Sequence, residues 1–187
     1  MDFETKPTSR HDIRKLAAIM RTAFKVPCYG VFPVLQVLEI LPELFKDCCF
    51  EIIEDDFFPP NTMAGCTKNP KGGYTIKIRE SVYDGAYRDG NGAFLGFICH
   101  EICHVFLFKI GFTPIVSHAR DFSESNIPAF RSVEWQAKAL CGEVMMPFQE
   151  IKGKTIQEIV DEYHVSRKSA AYQSRLAREE IKKLKHR

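Results

Sequence analysis

The sequence predicts an α+β fold, in which a small antiparallel sheet packs against helices and the chain ends in a helical segment. Three observations predict this class. Apolar residues near the N-terminus recur every three or four positions, as on one face of a helix. Between residues 48 and 80, short apolar runs are separated by turn residues, as in a small sheet. Beyond residue 90, longer apolar stretches lie between helix-capping and helix-breaking residues.

The first 46 residues contain two predicted helices. A second helix is predicted within residues 32–46, after an amphipathic helix over residues 11–24. The apolar face of that first helix consists of Ile13, Leu16, Ala17, Met20 and Phe24.

Three short runs predict the strands of the sheet. They are CCFEIIEDDF (48–57), TMAGCTKN (62–69) and GYTIKIRE (73–80), with the turn residues NPKGG between the last two. In the third run, apolar and polar residues alternate, which is typical of a strand with one buried face. The apolar positions are Tyr74, Ile76 and Ile78.

Helices are predicted again in the second half of the chain, on both sides of one long loop. Asn91 is placed to cap a helix that contains GFICHEICHVF (96–106). Residues 109–130 lack clear periodicity, and long loops of this kind are often functional. A helix over residues 132–146 follows and ends at Pro147.

Two capping signals predict short helices at the C-terminal end. Thr155 begins the capping box TIQE, in which Glu158 is the third helical residue. Ser166 can cap a last helix.

Size and composition predict one soluble domain. The 187 residues are 45% hydrophobic and 27% charged, which is ordinary for a globular protein with one buried core. No run approaches the roughly 20 uninterrupted apolar residues of a membrane span, and the polar N-terminus lacks the apolar part of a signal peptide. Seven cysteines without paired spacing predict reduced thiols. We therefore expect a cytoplasmic protein with no membrane partner.

The stretch CHEICH (99–104) contains the H-E-x-x-H pattern of zinc metallopeptidases. On a helix, His100 and His104 lie about 40° apart and can present both imidazoles to one ion. Glu101 lies roughly 100° round from His100, which suits a carboxylate that reaches a metal-activated water without ligating the metal. The opposite side of the helix is predicted to face the core, through Leu95, Ile98, Ile102 and Val105.

Two other interpretations of this helix are open. One is that the three residues are ordinary polar groups on a buried helix, although without a metal they would need other partners. The second is a closed structural site made of Cys99, His100, Cys103 and His104. Geometry disfavours it, because the cysteine pair faces roughly 100° away from the histidine pair.

A catalytic zinc ion needs a third protein ligand and an open position. Glu134 has the best local case, because it lies in the first turn of a predicted helix and the small Ala137 would let that helix approach closely. A glutamate is also common at a helix N-terminus without any metal. Glu143 would face away from the site. Spacing alone leaves five candidates open: His118, Asp121, Glu124, Glu134 and Glu143.

CHEICH and EWQAKALCGEVMMP (134–147) together resemble the ImmA/IrrE-type zinc metallopeptidases, over roughly residues 11–185. That family pairs H-E-x-x-H with a downstream helix of pattern E-x-[EQ]-A followed by Met-Pro. The resemblance implies a zincin-like fold, with Zn²⁺ held by His100, His104 and Glu134 and with Glu101 as the catalytic base. The departures are Cys103, Lys138 and Leu140. Cys103 stands where glycine is common, and it could make the activity sensitive to oxidation.

The same resemblance implies a zinc-dependent endopeptidase that cleaves a protein, often a helix-turn-helix repressor of a mobile element or a stress response. A toxin-like or defence-associated peptidase would share this chemistry. The oxyanion-stabilising residue stays open among Tyr83, Tyr87 and His118. The strand YTIKIRE (74–80) is expected to be an edge strand that aligns an extended substrate.

The C-terminal segment carries the alternative function. We expect a metallopeptidase core in residues 1–150 and a basic, helix-turn-helix-like segment in residues 151–187. Residues 165–187 hold eight Lys or Arg against two Glu, a charge of +6, which leaves −4 for residues 1–164. The alternative is a DNA-binding transcriptional regulator that uses these helices, with a structural or vestigial zinc site. Packing of an amphipathic helix pair on the core is the simpler expectation.

Overall fold

The computed structural model describes residues 2–114 and 127–185, with the side chains of residues 183–185 excepted. The described part contains eight α-helices and one three-stranded sheet, so the predicted α+β class is confirmed. In chain order, the elements are α1 (Arg10–Ala23), α2 (Val34–Leu44), β1 (Cys49–Ile53), β2 (Ala64–Lys68), β3 (Tyr74–Arg79), α3 (Glu80–Arg88), α4 (Gly92–Lys109), α5 (Val133–Met145), α6 (Phe148–Ile151), α7 (Ile156–Tyr163) and α8 (Arg167–Lys185).

Helix α1 begins where the sequence predicts and packs through its apolar face. The Ser9 hydroxyl accepts a hydrogen bond from the Asp12 amide and caps the helix. Arg21 is buried on the same helix, where its guanidinium donates to the carbonyls of Val144 (3.0 Å from Nε), Pro27 (2.6 Å) and Gly30 (2.8 Å). This side chain joins α1 to the C-terminal end of α5.

The sheet is mixed, so the prediction of a purely antiparallel sheet is wrong. Strand β3 is central, with β2 antiparallel on one side and β1 parallel on the other. A tight turn can join only antiparallel neighbours, so the turn at residues 69–73 fixes the relative direction of β2 and β3 alone. The longer connection from β1 to β2 contains a 3₁₀ helix at Asp55–Phe57 and leaves a gap between these two strands. Strand β3 occupies that gap. Alternation predicts a strand, but it does not predict the direction of its neighbour.

The central position of β3 also corrects the expectation that residues 74–80 form an edge strand. Both hydrogen-bonding edges of β3 are used, by β1 and by β2. Within the described residues, β1 and β2 are therefore the two edges of the sheet.

Helix α4 is the centre of the core. The Asn91 side chain accepts from the amides of Ala93 (3.0 Å) and Phe94 (3.3 Å), as predicted for its cap. The predicted apolar side is buried except for Leu95, which is partly buried, and the buried residues also include Cys99, Cys103, Phe106 and Leu107. In composition, α4 is long and apolar enough to cross a membrane, but half of it is buried inside the protein. Its position in the core accounts for its apolar character.

The C-terminal helices pack on the core through a network of polar contacts. Glu143 on α5 is only 3% exposed, and its carboxylate accepts from Arg10 (3.0 Å) and Arg14 (3.4 Å) of α1. The Arg10 guanidinium also donates to Gln173 Oε1 on α8 (2.8 Å), and Arg14 forms a two-pronged ion pair with Glu180. Glu143 therefore faces away from the predicted metal site, as expected.

Both predicted capping signals near the C-terminal end are confirmed. The Thr155 amide donates to Glu158 Oε2 (2.7 Å), and the Glu158 amide donates to Thr155 Oγ1 (3.2 Å). The Ser169 amide donates to the Ser166 hydroxyl (3.1 Å) at the start of α8. The division into two parts at residue 150 stays a prediction.

We expect the Arg14–Glu180 ion pair to make stability depend on pH. Hydrogen bonding to Arg14 holds the pKa of the Glu180 carboxyl below its ordinary value of 4.5. A carboxyl of this kind stabilises the fold above pH 4.5 and loses that contribution as the pH falls through its lowered folded-state value. Glu180→Gln should therefore reduce the free energy of unfolding by about 1 kcal/mol at pH 7.

Urea unfolding between pH 7 and pH 3 would measure this difference. It should shrink as the pH falls below 4.5, while the matched variant Glu179→Gln should unfold like the wild type throughout. A constant difference across this range would contradict the assignment to an ion pair.

Candidate metal centre

Helices α4 and α5 bring His100, His104 and Glu134 together. The Nε2 atoms of the two histidines lie 3.1 Å apart. Glu134 Oε2 lies 3.2 Å from His100 Nε2, and Glu134 Oε1 lies 3.3 Å from His104 Nε2. The imidazole rings stand nearly perpendicular, at 83° with centroids 4.6 Å apart. Among the described residues, these three side chains form one group of donor atoms that could hold a metal ion, all within 4.8 Å of one another.

These separations fit tetrahedral coordination. Zinc binds histidine nitrogen and carboxylate oxygen at about 2.0–2.1 Å, so two ligands of a tetrahedral site stand roughly 3.3 Å apart. The two imidazole nitrogens, 3.1 Å apart, come close to this value, and the Glu134 carboxylate offers a different oxygen to each of them, at 3.2 and 3.3 Å. Two imidazole nitrogens and one carboxylate oxygen suit several divalent transition metals. The arrangement is thus a three-ligand site whose donors already converge.

The electrostatics of the group favour a charged carboxylate beside the imidazoles. Hydrogen bonds from His100 and then from His104 hold the pKa of Glu134 far below its ordinary value. Burial works against a charge on His100, but the hydrogen bond to Glu134 and the charge of Glu101 raise the pKa of His100 overall. The carboxylate of Glu134 is therefore ready to serve as an anionic ligand.

Glu101 lies beside the group without belonging to it. It directly follows His100 on α4, and the cluster of converging donors does not include its carboxylate. Burial raises the pKa of Glu101, while the nearby charges of His100 and His104 act in the opposite direction. Its predicted role as a base stays a prediction.

The remaining candidate residues fall into two sets. His118, Asp121 and Glu124 lie outside the described residues. Tyr83 and Tyr87 stack on each other, with ring centroids 6.3 Å apart. No hydrogen bond between the described residues joins either tyrosine to the two histidines, so the oxyanion-stabilising residue stays open.

The cysteines of α4 face a different partner from the histidines. Cys99 and Cys103 are fully buried, and their thiols interact with the thiol of Cys141 on α5. Cys141 also lies 3.6 Å from the Gly96 carbonyl oxygen and 3.8 Å from the sulfur of Met145. None of these three thiols belongs to the group of converging metal donors, which agrees with the rejection of a closed Cys/His site. The spacing of the H-E-x-x-H motif did not predict that Cys141 would contact the thiols of Cys99 and Cys103.

A second feature without a sequence signal is the contact of Asp2 with α5. The Asp2 carboxylate accepts from the Ser132 hydroxyl (2.6 Å) and from the Glu134 amide (3.1 Å). The two segments are about 130 residues apart in the chain, so no local pattern connects them.

No protein-family model and no curated protein matches the chain. A solved structure described as a Mycobacterium tuberculosis transcriptional regulator is similar to it, with a TM-score of 0.54 and 15% sequence identity. The similarity covers 86% of this chain and 45% of that one, so the chain spans less than half the length of that protein. At this identity the similarity shows the fold alone.

We expect the purified protein to bind about one divalent transition-metal ion per chain, because three donors already converge at tetrahedral separations. His104→Ala and Glu134→Ala should each lose the ion, since two protein ligands hold a metal far more weakly than three. Elemental analysis after dialysis would measure this. His11→Ala, which removes an exposed histidine on α1, should keep the ion; equal loss in that variant would contradict the assignment.

Proposed function

We propose that this chain is a zinc-dependent endopeptidase that cleaves a protein substrate. The observation that carries the proposal is the convergence of His100, His104 and Glu134, with Glu101 next to the first histidine on α4. The H-E-x-x-H spacing gives two ligands and a separate carboxylate, and α5 supplies the third ligand. Three protein ligands leave a fourth position open, as in catalytic zinc sites.

Each residue has a role that follows from its position. His100, His104 and Glu134 would hold the ion. Zinc, when bound there, supplies a Lewis acid that polarises a substrate carbonyl and acidifies a water molecule. Glu101 would accept a proton from that water and deliver it to the leaving amine.

Strand β2 is the better candidate for aligning an extended substrate. It is an edge strand within the described residues, whereas β3 is central. Cys66 on β2 lies close enough to Glu101 for the carboxylate to contribute to its pKa, which burial raises to about 12. A peptide added along β2 would therefore run near the metal centre.

The substrate class rests on the resemblance to the ImmA/IrrE-type peptidases, which favours a helix-turn-helix repressor. The same proposal places the protein in the cytoplasm, where its seven free thiols would stay reduced. A toxin-like or defence-associated role would use the same metal centre on another protein.

Glu101→Gln tests the peptidase proposal. The amide keeps the size of the side chain but cannot accept the proton, so cleavage should fall roughly 10²–10⁴-fold. Cleavage of proteome-derived peptide libraries, read by mass spectrometry, would measure this without knowledge of the natural substrate. Zinc content should equal that of the wild type, and a chelator should stop the wild-type reaction. Undiminished cleavage by Glu101→Gln would refute the assigned role.

A second candidate function is that of a DNA-binding transcriptional regulator with a structural zinc site. Helices α7 and α8 are joined by a short turn, and one side of α8 is exposed and mostly basic. The similar solved structure is described as a transcriptional regulator, which is compatible with DNA contact. The exposed side consists of Arg167, Lys168, Tyr172, Arg175, Arg178, Glu179 and Lys182.

If this surface binds DNA, Arg175→Ala should weaken duplex binding at every sequence. The dependence of log affinity on log salt concentration should also become less steep by about one, because one phosphate contact is lost. Fluorescence anisotropy across a salt series would measure both. Lys15→Ala on α1 serves as a control of equal charge change. Binding that does not respond to salt, or that both variants weaken equally, would exclude this surface.

A further inference from the structure

The N-terminal strap, which we define as residues 2–8, lies along the segment that precedes α5. Glu4 and Ser132 form an antiparallel bridge. The Thr5 amide donates to the Arg131 carbonyl (2.8 Å), and the Thr8 amide donates to the Phe130 carbonyl (2.9 Å). Thr5 is fully buried. The strap is therefore an integral part of the fold around the start of α5.

The strap also satisfies the first amides of α5. The Val133 amide donates to the Phe3 carbonyl (3.0 Å), and the Glu134 amide donates to Asp2 Oδ1 (3.1 Å). The Ser132 hydroxyl accepts from the third amide, that of Trp135 (2.9 Å), and itself donates to Asp2 Oδ2 (2.6 Å). The first-turn amides of a helix have no partner within the helix. Two of the first three amides of α5 are bound by the strap.

These contacts matter because Glu134 lies in that first turn. Helix ends fray when their amides are unsatisfied, and the carboxylate of Asp2 also interacts favourably with the positive end of the helix dipole. The Glu134 side chain is 43% exposed, so packing alone does not hold it in place. Its two oxygens nevertheless lie 3.2 and 3.3 Å from the histidine nitrogens. Movement of the first turn would carry the Glu134 carboxylate away from the two histidines.

We propose that Asp2 is a positioning residue for the metal centre: its carboxylate fixes the first turn of α5 and so holds Glu134 against His100 and His104. The inference rests on the proposed metal site and adds a residue that lies outside both sequence motifs. Asp2 contacts no donor atom of the centre; it acts through the backbone of Glu134 and through Ser132.

The strap offers a matched pair of variants for the test. Asp2→Ala removes both acceptors, whereas Asp2→Asn keeps an oxygen for the Glu134 amide. Glu4→Ala removes a neighbouring carboxylate, which pairs with Arg131 (2.8 Å), and leaves the contacts of Asp2 intact. Zinc affinity, measured by competition with a chromogenic chelator on the full chain, should fall roughly 10-fold or more in Asp2→Ala. Asp2→Asn should recover part of that loss, and Glu4→Ala should bind zinc like the wild type.

Two further measurements separate positioning from general stability. The visible spectrum of the Co²⁺-loaded protein reports on coordination, and it should change in Asp2→Ala but not in Glu4→Ala. Hydrogen exchange of the Glu134 amide in the metal-free protein should become faster in Asp2→Ala alone. Wild-type zinc affinity in Asp2→Ala, or an equal loss in Glu4→Ala, would overturn the inference.

The outcomes for the proposed function are distinct. If the wild type binds zinc and cleaves no peptide, the peptidase proposal fails. The role of Asp2 is then still decided by the zinc affinity of Asp2→Ala. If the wild type binds no metal, the proposed metal site is refuted, whatever the Asp2 variants show. In that case, unchanged exchange of the Glu134 amide in Asp2→Ala would also overturn the inference, and faster exchange would retain Asp2 as the residue that fixes this turn.

Discussion

The close packing of α4 against α5 is the contact on which the rest of the structure depends. Half of helix α4 is buried inside the protein, yet the helix carries two imidazoles that need polar partners. Ala137, fully buried on α5, and the approach of Cys141 to the Gly96 carbonyl show how near the two helices come. At this separation the carboxylate of Glu134 reaches both histidines. A metal ion bound there would give all three side chains a common partner.

Local signals in the sequence were sufficient for the helices and for two of the three ligands. The caps at Asn91 and Thr155 depend on residues within three positions, so a sequence shows them directly. The same holds for His100 and His104, which a helix places on one face. The third ligand was different. Spacing left five candidates open. The predicted helix start and the small Ala137 favoured Glu134, and the resemblance to a family selected it before the structure brought it to the histidines.

Features that depend on contacts far apart in the chain could not be predicted. Alternation identified β3 as a strand but could not show that β1 runs parallel to it, because the direction depends on the path between strands. Likewise, Arg21 gives no local sign that it will bind the carbonyl of Val144, 123 residues away. Asp2 lies in a polar stretch without periodicity. Its role at α5 exists only in the folded chain.

The long-range contacts of Asp2 and Arg21 share one target, which is helix α5. At its first turn Asp2 binds the Glu134 amide, and near its last turn Arg21 binds the Val144 carbonyl. Between these ends, Arg10 and Arg14 bind the buried carboxylate of Glu143, while a Cβ added at Gly142 would lie 3.0 Å from the Gln173 side chain of α8.

The anchors of α5 therefore come from the first 21 residues and from α8. A ligand on a short first turn would be poorly held by its own helix, since end amides have few partners. In this chain the N-terminal strap satisfies those amides, and the partly exposed Arg10 and Arg14 together with the buried Arg21 fix the rest of α5. The position of Glu134 is consequently set by residues outside the motif that predicts it. The N-terminal strap and α1 thus belong to the same structural unit as the three donor side chains.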